Sequence, residues 1–117
     1  MTQPIEEQVA AYRSTAAAWD LAQDDAKTAN PLFKRLHKIY KQLRSDKAGR
    51  AALGDLMHDA TVGQGVRLMA ATHSLAWDPD GATKVLEDIR RAGRGLYRVD
   101  AEYTLKAYRD GTLDLDW

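Results

Sequence analysis

The chain has 117 residues, and its 17 basic and 17 acidic side chains give a formal net charge of zero. With 44% hydrophobic and 29% charged residues, it has the composition of a folded globular domain, and its charge balance argues against a dedicated nucleic-acid binder. The sequence contains no cysteine, which excludes disulfide bonds, thiolate zinc sites and cysteine nucleophiles.

The beginning of the chain, MTQPIEEQVA, has no basic segment followed by an apolar run, so it does not resemble a secretory signal. No window of the sequence approaches the roughly 18 consecutive apolar residues that a membrane-spanning helix needs. We therefore expect a cytoplasmic protein.

Two helices are predicted before residue 45. The first covers about residues 4–23, and its apolar stripe has helical spacing: Ile5, Val9, Tyr12, Ala16 and Trp19. Asp24-Asp25 ends this helix, and its charges suit the positive N-terminal dipole of the next one. The stripe of the second helix is formed by Leu32, Leu36, Ile39, Tyr40 and Leu43. Its start has two interpretations, because Asn30-Pro31 is either an N-cap with proline in the first turn or a kink inside a longer helix. We favour the cap.

The third and fourth helices follow from start signals at Ser45-Asp46 and Thr61. A short third helix is predicted despite Gly49 and Gly54, each of which costs about 1 kcal/mol relative to alanine. Thr61 is predicted to cap the fourth helix. That helix is apolar on more than one side, which is typical of a helix packed between neighbours. One face carries Val62, Val66, Met69, Ala70 and His73, and another carries Leu68, Ala71 and Leu75.

The fifth helix is predicted to restart at Asp78-Pro79, because proline is tolerated in the first turn of a helix. Its apolar residues are Ala82, Val85, Leu86 and Ile89. A sixth helix is expected from about Arg98 to Asp110, with Ala101, Leu105 and Tyr108 on its stripe. Gly111 has the position of a C-terminal cap.

Six helices joined by short connections, with no alternating strand pattern, predict an all-α domain over residues 1–117 with an acidic tail at 111–117. Short connections favour antiparallel neighbours. The simplest packing is a stack of three helical hairpins, and a compact irregular bundle is the alternative.

Three segments resemble a small bacterial family of uncharacterised proteins. The segments are LFKRLHKIYKQL at Leu32–Leu43, VRLMAATHSLAWDPDGATKVLEDI at Val66–Ile89 and AEYTLKAYRDG at Ala101–Gly111. The chain resembles the domain-of-unknown-function family numbered two thousand and nineteen, with a HEAT-like helical-repeat fold, and Asn30-Pro31 departs from the uninterrupted second helix expected there. The resemblance implies a HEAT-like α-α superhelix, no catalytic residues, no cofactor and a protein-binding scaffold.

The histidines, serines and paired carboxylates give no catalytic or metal-binding pattern. His37, His58 and His73 are never three or four positions apart, so they do not form a helical metal site. His73 shares a stripe with Val66 and Met69, which favours a packing role. Adjacent carboxylates such as Glu87-Asp88 point in different directions on a helix and do not converge on a substrate. We therefore expect no enzyme activity, metal or cofactor.

Charge is unevenly distributed along the chain. Residues 27–50 contain eight basic residues and a single acid, Asp46, while the remainder has 9 basic residues and 16 acids. A solvated helix face is the favoured interpretation of the basic segment, and binding to a partner is the next. Contact with nucleic acid through Lys34, Lys38, Lys41 and Arg44 is a further alternative.

A second basic cluster, which includes Arg90 and Arg91, precedes the sixth helix, and the tail alternates Leu113, Leu115 and Trp117 with Asp114 and Asp116. The tail either docks on the last helices or meets a basic partner through Trp117 and its aspartates. The residues predicted to bind a partner are Lys34, Lys38, Lys41, Arg90, Arg91, Asp114, Asp116 and Trp117.

Three function classes remain. The leading hypothesis is a non-enzymatic protein that binds another protein, specifically an immunity protein that neutralises a cognate bacterial toxin, as helical-repeat proteins of this size do in bacteria. The second is a nucleic-acid-associated protein, and a structural or regulatory adaptor without a toxin is a further variant of the first. A small enzyme is the class that the sequence supports least.

Overall fold

The computed structural model describes residues 4–93 and 95–115, and in these ranges it contains six α-helices and no strand. The helices are α1 (Ile5–Leu21), α2 (Ala26–Arg44), α3 (Lys47–His58), α4 (Gln64–Ser74), α5 (Pro79–Ala92) and α6 (Leu96–Arg109). The predicted all-α class is confirmed. The chain divides into two compact units between Leu53 and Gly54, inside α3. None of the helices in the described ranges combines the length and apolar character that crossing a membrane requires.

In the first unit, α1 packs against α2. Tyr12 and Ala16 of α1 and Leu36 and Leu43 of α2 are at most 1% exposed, as their positions on the predicted stripes require. Tyr40 is also buried. Burial raises the pKa of the Tyr12 hydroxyl well above its usual value, and the neighbouring Tyr40 adds to this effect. Both tyrosine side chains therefore pack in the apolar core of this unit.

The N-cap of α2 is Asp25, five residues before Asn30, so the predicted cap at Asn30 is wrong. The Asp25 carboxylate caps the helix, since it accepts hydrogen bonds from the Lys27 N–H at 3.2 Å and the Thr28 hydroxyl at 2.7 Å. Pro31 consequently lies inside the helix, where its missing N–H removes one backbone hydrogen bond. The capped first turn and the burial of Ala29 offset that loss.

The predicted start of α3 is confirmed, because the Asp46 carboxylate accepts the Ala48 N–H at 2.9 Å. The predicted cap of α4 at Thr61 is wrong. Thr61 donates both its N–H and its hydroxyl to the Asp59 carboxylate, at 2.9 and 2.6 Å, which forms a turn before the helix. Gly63 is the N-cap residue instead, and α4 begins at Gln64.

In the second unit, α4 packs against α5 and α6, and α5 packs against α6. The helix expected to be apolar on more than one side is confirmed, since eight of the eleven residues of α4 are buried. Asp78 caps α5, as predicted, by accepting the Gly81 N–H at 3.1 Å. Helix α6 begins at Leu96 rather than Arg98, and Gly111 follows it with a φ of 72°. The stacking of hairpins as a HEAT-like superhelix stays a prediction.

Candidate partner-binding surfaces

Four lysines form a single exposed row on α2, which we call the lysine stripe: Lys27, Lys34, Lys38 and Lys41. Their spacing of 7, 4 and 3 residues places them within one narrow sector of the helix. At 1.5 Å of rise per residue the row is about 21 Å long. The stripe is therefore a continuous cationic surface on one face of the first unit.

The packing of α2 determines which way the lysines point. The helix buries Leu36, Ile39 and Leu43 on its core side, so the lysines, which occupy the other side, face solvent. Helix α2 contains no acidic residue. Within the described residues no carboxylate forms an ion pair with any of the four lysines. Their charges are consequently not neutralised by any carboxylate that the structure describes.

An aromatic row runs along α2 beside the lysine stripe. The ring centroids of Trp19 and Phe33 are 6.3 Å apart, those of Phe33 and His37 are 6.4 Å apart, and those of His37 and Tyr40 are 6.1 Å apart. Trp19, Phe33 and His37 are only half-buried. A partner that lies along α2 would therefore meet apolar surface next to the ammonium groups.

Arg44, predicted as a possible nucleic-acid contact, is occupied within the first unit. Its guanidinium lies 5.0 Å from the centroid of the Tyr40 ring and donates to the Tyr40 hydroxyl at 3.3 Å. Its carbonyl accepts a hydrogen bond from the Arg50 side chain at 2.8 Å. Arg44 thus differs in its contacts from the three lysines with which the sequence grouped it.

The histidines lie in three different environments. His73 is 2% exposed within α4, which is consistent with the packing role expected for it, whereas His58 is exposed and His37 belongs to the aromatic row. In the part of the chain that the structure describes, no group of three or more His, Asp or Glu side chains is placed to hold a metal ion.

Arg90 and Arg109 both bind the carboxylate of Glu87, at 2.8 and 2.6 Å. The hydrogen bonds from Arg90 and from Arg109 lower the pKa of Glu87 below its usual value. Arg90 was predicted to bind a partner, and the structure instead places it in this cluster, while Arg91 is exposed beside it. The pair between Glu87 and Arg109 could not be predicted from the sequence, because no local pattern joins residues 22 positions apart.

Arg91 and Arg109 also line an open groove of about 350 Å³ in the second unit, together with Lys84 and Asp88. The groove contains both acidic and basic side chains. Arg109 is already paired with the Glu87 carboxylate. The groove therefore lacks the single sign of charge that would select a small ionic ligand.

The tail is described only in part. Its backbone turns back after α6, because the N–H groups of Thr112 and Leu113 donate to the Ala107 carbonyl at 2.9 and 3.2 Å. Leu113 and Leu115 are half-buried and Asp114 is exposed. Asp116 and Trp117, both predicted to bind a partner, lie outside the described residues. Of the predicted binding residues, the structure aligns Lys34, Lys38 and Lys41 on one surface.

A second surface went unnoticed in the sequence. Leu96, Val99 and Tyr103 of α6 are 68%, 57% and 71% exposed. They lie at positions i, i+3 and i+7, which place them on one face of the helix. The signal was available, because these apolar residues are left over once Ala101 and Leu105 are assigned to the core.

A family sequence model described as Domain of unknown function (DUF2019) matches residues 6–109. The chain belongs to the DUF2019 family. The matched range extends from the first turn of α1 to the last residue of α6, so the resemblance seen in three segments is confirmed and covers every helix. No curated protein and no solved structure matches the chain.

Membership of DUF2019 assigns no activity, since the family is described only by its unknown function. The lysine stripe, the Glu87 cluster and the exposed face of α6 all lie within the range matched by the DUF2019 model, whereas the tail lies outside it. The function of this DUF2019 chain therefore has to be argued from its surfaces.

Proposed function

We propose that this chain is a non-enzymatic scaffold that binds an acidic surface of another protein through the lysine stripe. The observation that carries the proposal is the row of four exposed lysines without a carboxylate partner among the described residues. We further propose that the partner is a bacterial toxin, which the chain binds in the cytoplasm and neutralises as an immunity protein.

Lysines grouped on one face of a helix repel each other, and this repulsion costs free energy. Lysines three and four positions apart on a helix repel each other by a few tenths of a kcal/mol per pair. Lys34, Lys38 and Lys41 pay this cost without any compensating carboxylate on α2. A partner whose carboxylates are spread over about 20 Å would convert the repulsion into attraction. The half-exposed rings of Trp19 and Phe33 would supply apolar contact at its edge.

The exposed row of lysines suits fast association, which an immunity role requires. An immunity protein must capture its toxin before the toxin acts, and complementary charged surfaces raise association rate constants to about 10⁸–10⁹ M⁻¹s⁻¹ at low salt. A rigid helix that displays several cations in a fixed row is suited to this kind of steering. The resemblance to small helical-repeat proteins, some of which act as immunity proteins, supports the same role.

The test is co-expression of the chain with the product of each adjacent gene. We expect one product to arrest growth alone, to be neutralised by the chain and to co-purify with it. Lys34→Glu combined with Lys38→Glu should abolish both protection and co-purification. Lys47→Glu combined with Lys84→Glu changes the total charge equally at exposed positions outside α2 and should leave both intact.

Two results would count against the proposal. If no adjacent product arrests growth or forms a complex, the immunity role is wrong. If a complex forms but the Lys34 and Lys38 double variant binds as well as the control variant, the lysine stripe is not the interface.

Binding to nucleic acid is the alternative function of the lysine stripe, and it can be measured directly. If four lysines contacted four duplex phosphates, the log–log dependence of affinity on salt would have a slope of about −3.6. Arg44 is occupied by Tyr40, and among the described residues no aromatic side chain beside the four lysines is fully exposed for stacking with unpaired bases. The net charge of the chain is also zero, so we expect neither single-stranded nor duplex DNA of random sequence to bind at 150 mM salt in a filter-binding assay.

A further inference from the structure

Helix α6 presents two apolar sides. Its core side buries Ala101 and Leu105 against the other helices of the second unit. Its outer side carries Leu96, Val99 and Tyr103, which we call the α6 ridge, and all three are more than half exposed. A helix packed on one side usually presents polar residues on the other, and a group of large apolar side chains in water marks a site of interaction.

The charge beside the ridge indicates what kind of group belongs there. Asp100 lies next to Val99, is exposed, and forms no ion pair with another described residue. Desolvation by the surrounding protein nevertheless raises the pKa of Asp100 above its usual value. A cation placed beside this carboxylate would stabilise its charged form.

We propose that the α6 ridge docks an amphipathic helix of another protein, with apolar side chains on the ridge and a Lys or Arg beside Asp100. Apolar residues at i, i+3 and i+7 are the usual anchors where two helices meet lengthwise. The fixed carboxylate at one flank selects a basic residue and sets the direction of the incoming helix.

A second copy of this chain fits the ridge less well. Three side chains of these sizes offer on the order of 400 Å², whereas each partner in a standard stable interface contributes about 800 Å². In a two-fold antiparallel pair of α6 helices, each flank meets the same flank of the other copy. Asp100 would then face Thr104 and its own counterpart, and no basic side chain.

This inference goes beyond the proposed function, because the ridge and the lysine stripe belong to different units and recognise different chemistry. The lysine stripe would bind an acidic protein surface. The α6 ridge would bind an amphipathic helix that carries a basic residue beside its apolar face. The two surfaces can therefore be tested separately.

The experiment is selection of a phage library of helical 14-residue peptides against the full chain. We expect enriched peptides to carry Leu, Ile or Phe at i, i+3 or i+4, and i+7, together with a Lys or Arg at one flank. Binding of these peptides should fall at least tenfold with Val99→Asp and also with Leu96→Asn. Asp100→Asn should weaken binding several-fold, and the control Glu102→Gln on the same helix should not.

Thermal melts followed by circular dichroism show whether each variant is folded. We expect all of them to fold, because the substituted residues are exposed. Lys34→Glu combined with Lys38→Glu should leave the affinity for the selected peptides unchanged. A wrong proposal for the ridge can therefore be distinguished from a wrong proposal for the lysine stripe. The proposal is overturned if nothing is enriched above an uncoated support, or if the peptides bind Val99→Asp unchanged. It is also overturned if sedimentation equilibrium shows a micromolar dimer that Val99→Asp dissociates, since the occupant is then a second copy.

Discussion

Helices α2 and α5 are built in the same way and use their charges differently. Each begins at an aspartate whose side chain caps the first turn, Asp25 in α2 and Asp78 in α5, and each buries one apolar stripe. On α5 one outer carboxylate is paired within the second unit, since Glu87 binds Arg90 on the same helix and Arg109 of α6. On α2 the exposed lysines have no such partner within residues 4–93 and 95–115. Charges that are paired hold the fold together, and charges left unpaired are available for another molecule.

The stability of the chain should depend on the buried apolar stripes of both α2 and α5. Leu36→Ala in α2 and Leu86→Ala in α5 each remove a side chain that is at most 1% exposed. Each should lower the free energy of unfolding by about 2–5 kcal/mol, through lost burial and the cavity left behind. Urea denaturation measures the loss.

Lys38→Ala and Lys84→Ala are the matched controls on the exposed faces of the same helices, and they should change stability by at most about 0.5 kcal/mol. A loss below about 1 kcal/mol for either leucine variant would contradict the packing described for its helix.

Helices α2 and α5 also differ in where their proline lies. Pro79 occupies the first turn of α5, whereas Pro31 is the sixth residue of α2. Pro31→Ala restores an N–H that can bond to the Lys27 carbonyl, and it should stabilise the chain by about 1–3 kcal/mol. Pro79→Ala restores no helical hydrogen bond and should cost up to about 1 kcal/mol, through greater freedom of the unfolded chain. Thermal unfolding of the two variants should therefore shift in opposite directions, and equal shifts would contradict the helix boundaries.

A pair of glycines tests how the chain leaves α2. A Cβ at Gly49 would overlap the backbone carbonyl of Leu43, while a Cβ at Gly54 meets nothing within 4 Å. Gly49→Ala should therefore destabilise the chain by about 1–3 kcal/mol. Gly54→Ala, also inside α3, should stabilise it by about 0.5–1 kcal/mol. Denaturant midpoints of the two variants that move the same way would contradict this packing.

The smallest expected effect concerns Glu87 and its dependence on pH. The pKa of Glu87 is lowered from 4.5 in the folded chain by its arginine partners. Its contribution to stability is therefore present above pH 4.5 and is lost as the pH falls through the lower, folded-state pKa. Glu87→Gln should lower the melting temperature slightly at pH 7 and leave it unchanged once the carboxylate of the unmodified chain is protonated. A difference between the two chains that persists at the acid end would contradict the pairing.

Much of the fold could be predicted because its signals are local. Asp78-Pro79 and Ser45-Asp46 place capping groups next to helix starts, and the apolar stripes of α1, α2 and α5 follow the helical period. The same reasoning failed at Asn30-Pro31, because an aspartate five residues earlier had already capped the helix. A motif of two residues cannot show which of two competing start signals is used.

The surfaces could be predicted less completely. The cationic character of Lys34, Lys38 and Lys41 is visible in the sequence, since all three belong to one basic segment. Whether a basic residue is free or paired depends on which helix packs beside it, which is why Arg90 and Arg44 were assigned to binding although Glu87 and Tyr40 occupy them. Tertiary contacts decide that question, and sequence spacing does not record them.

If the lysine stripe attracts an acidic protein surface, as we propose, the rate of association must depend on ionic strength. The most direct measurement is the rate of association between the chain and its co-purified partner, followed by stopped-flow fluorescence over a range of ionic strength. We expect the rate constant of the unmodified chain and of the Lys47 and Lys84 double variant to fall steeply with salt. The Lys34→Glu and Lys38→Glu double variant should associate slowly and without that decrease, and a salt dependence equal to that of the unmodified chain would contradict the claim.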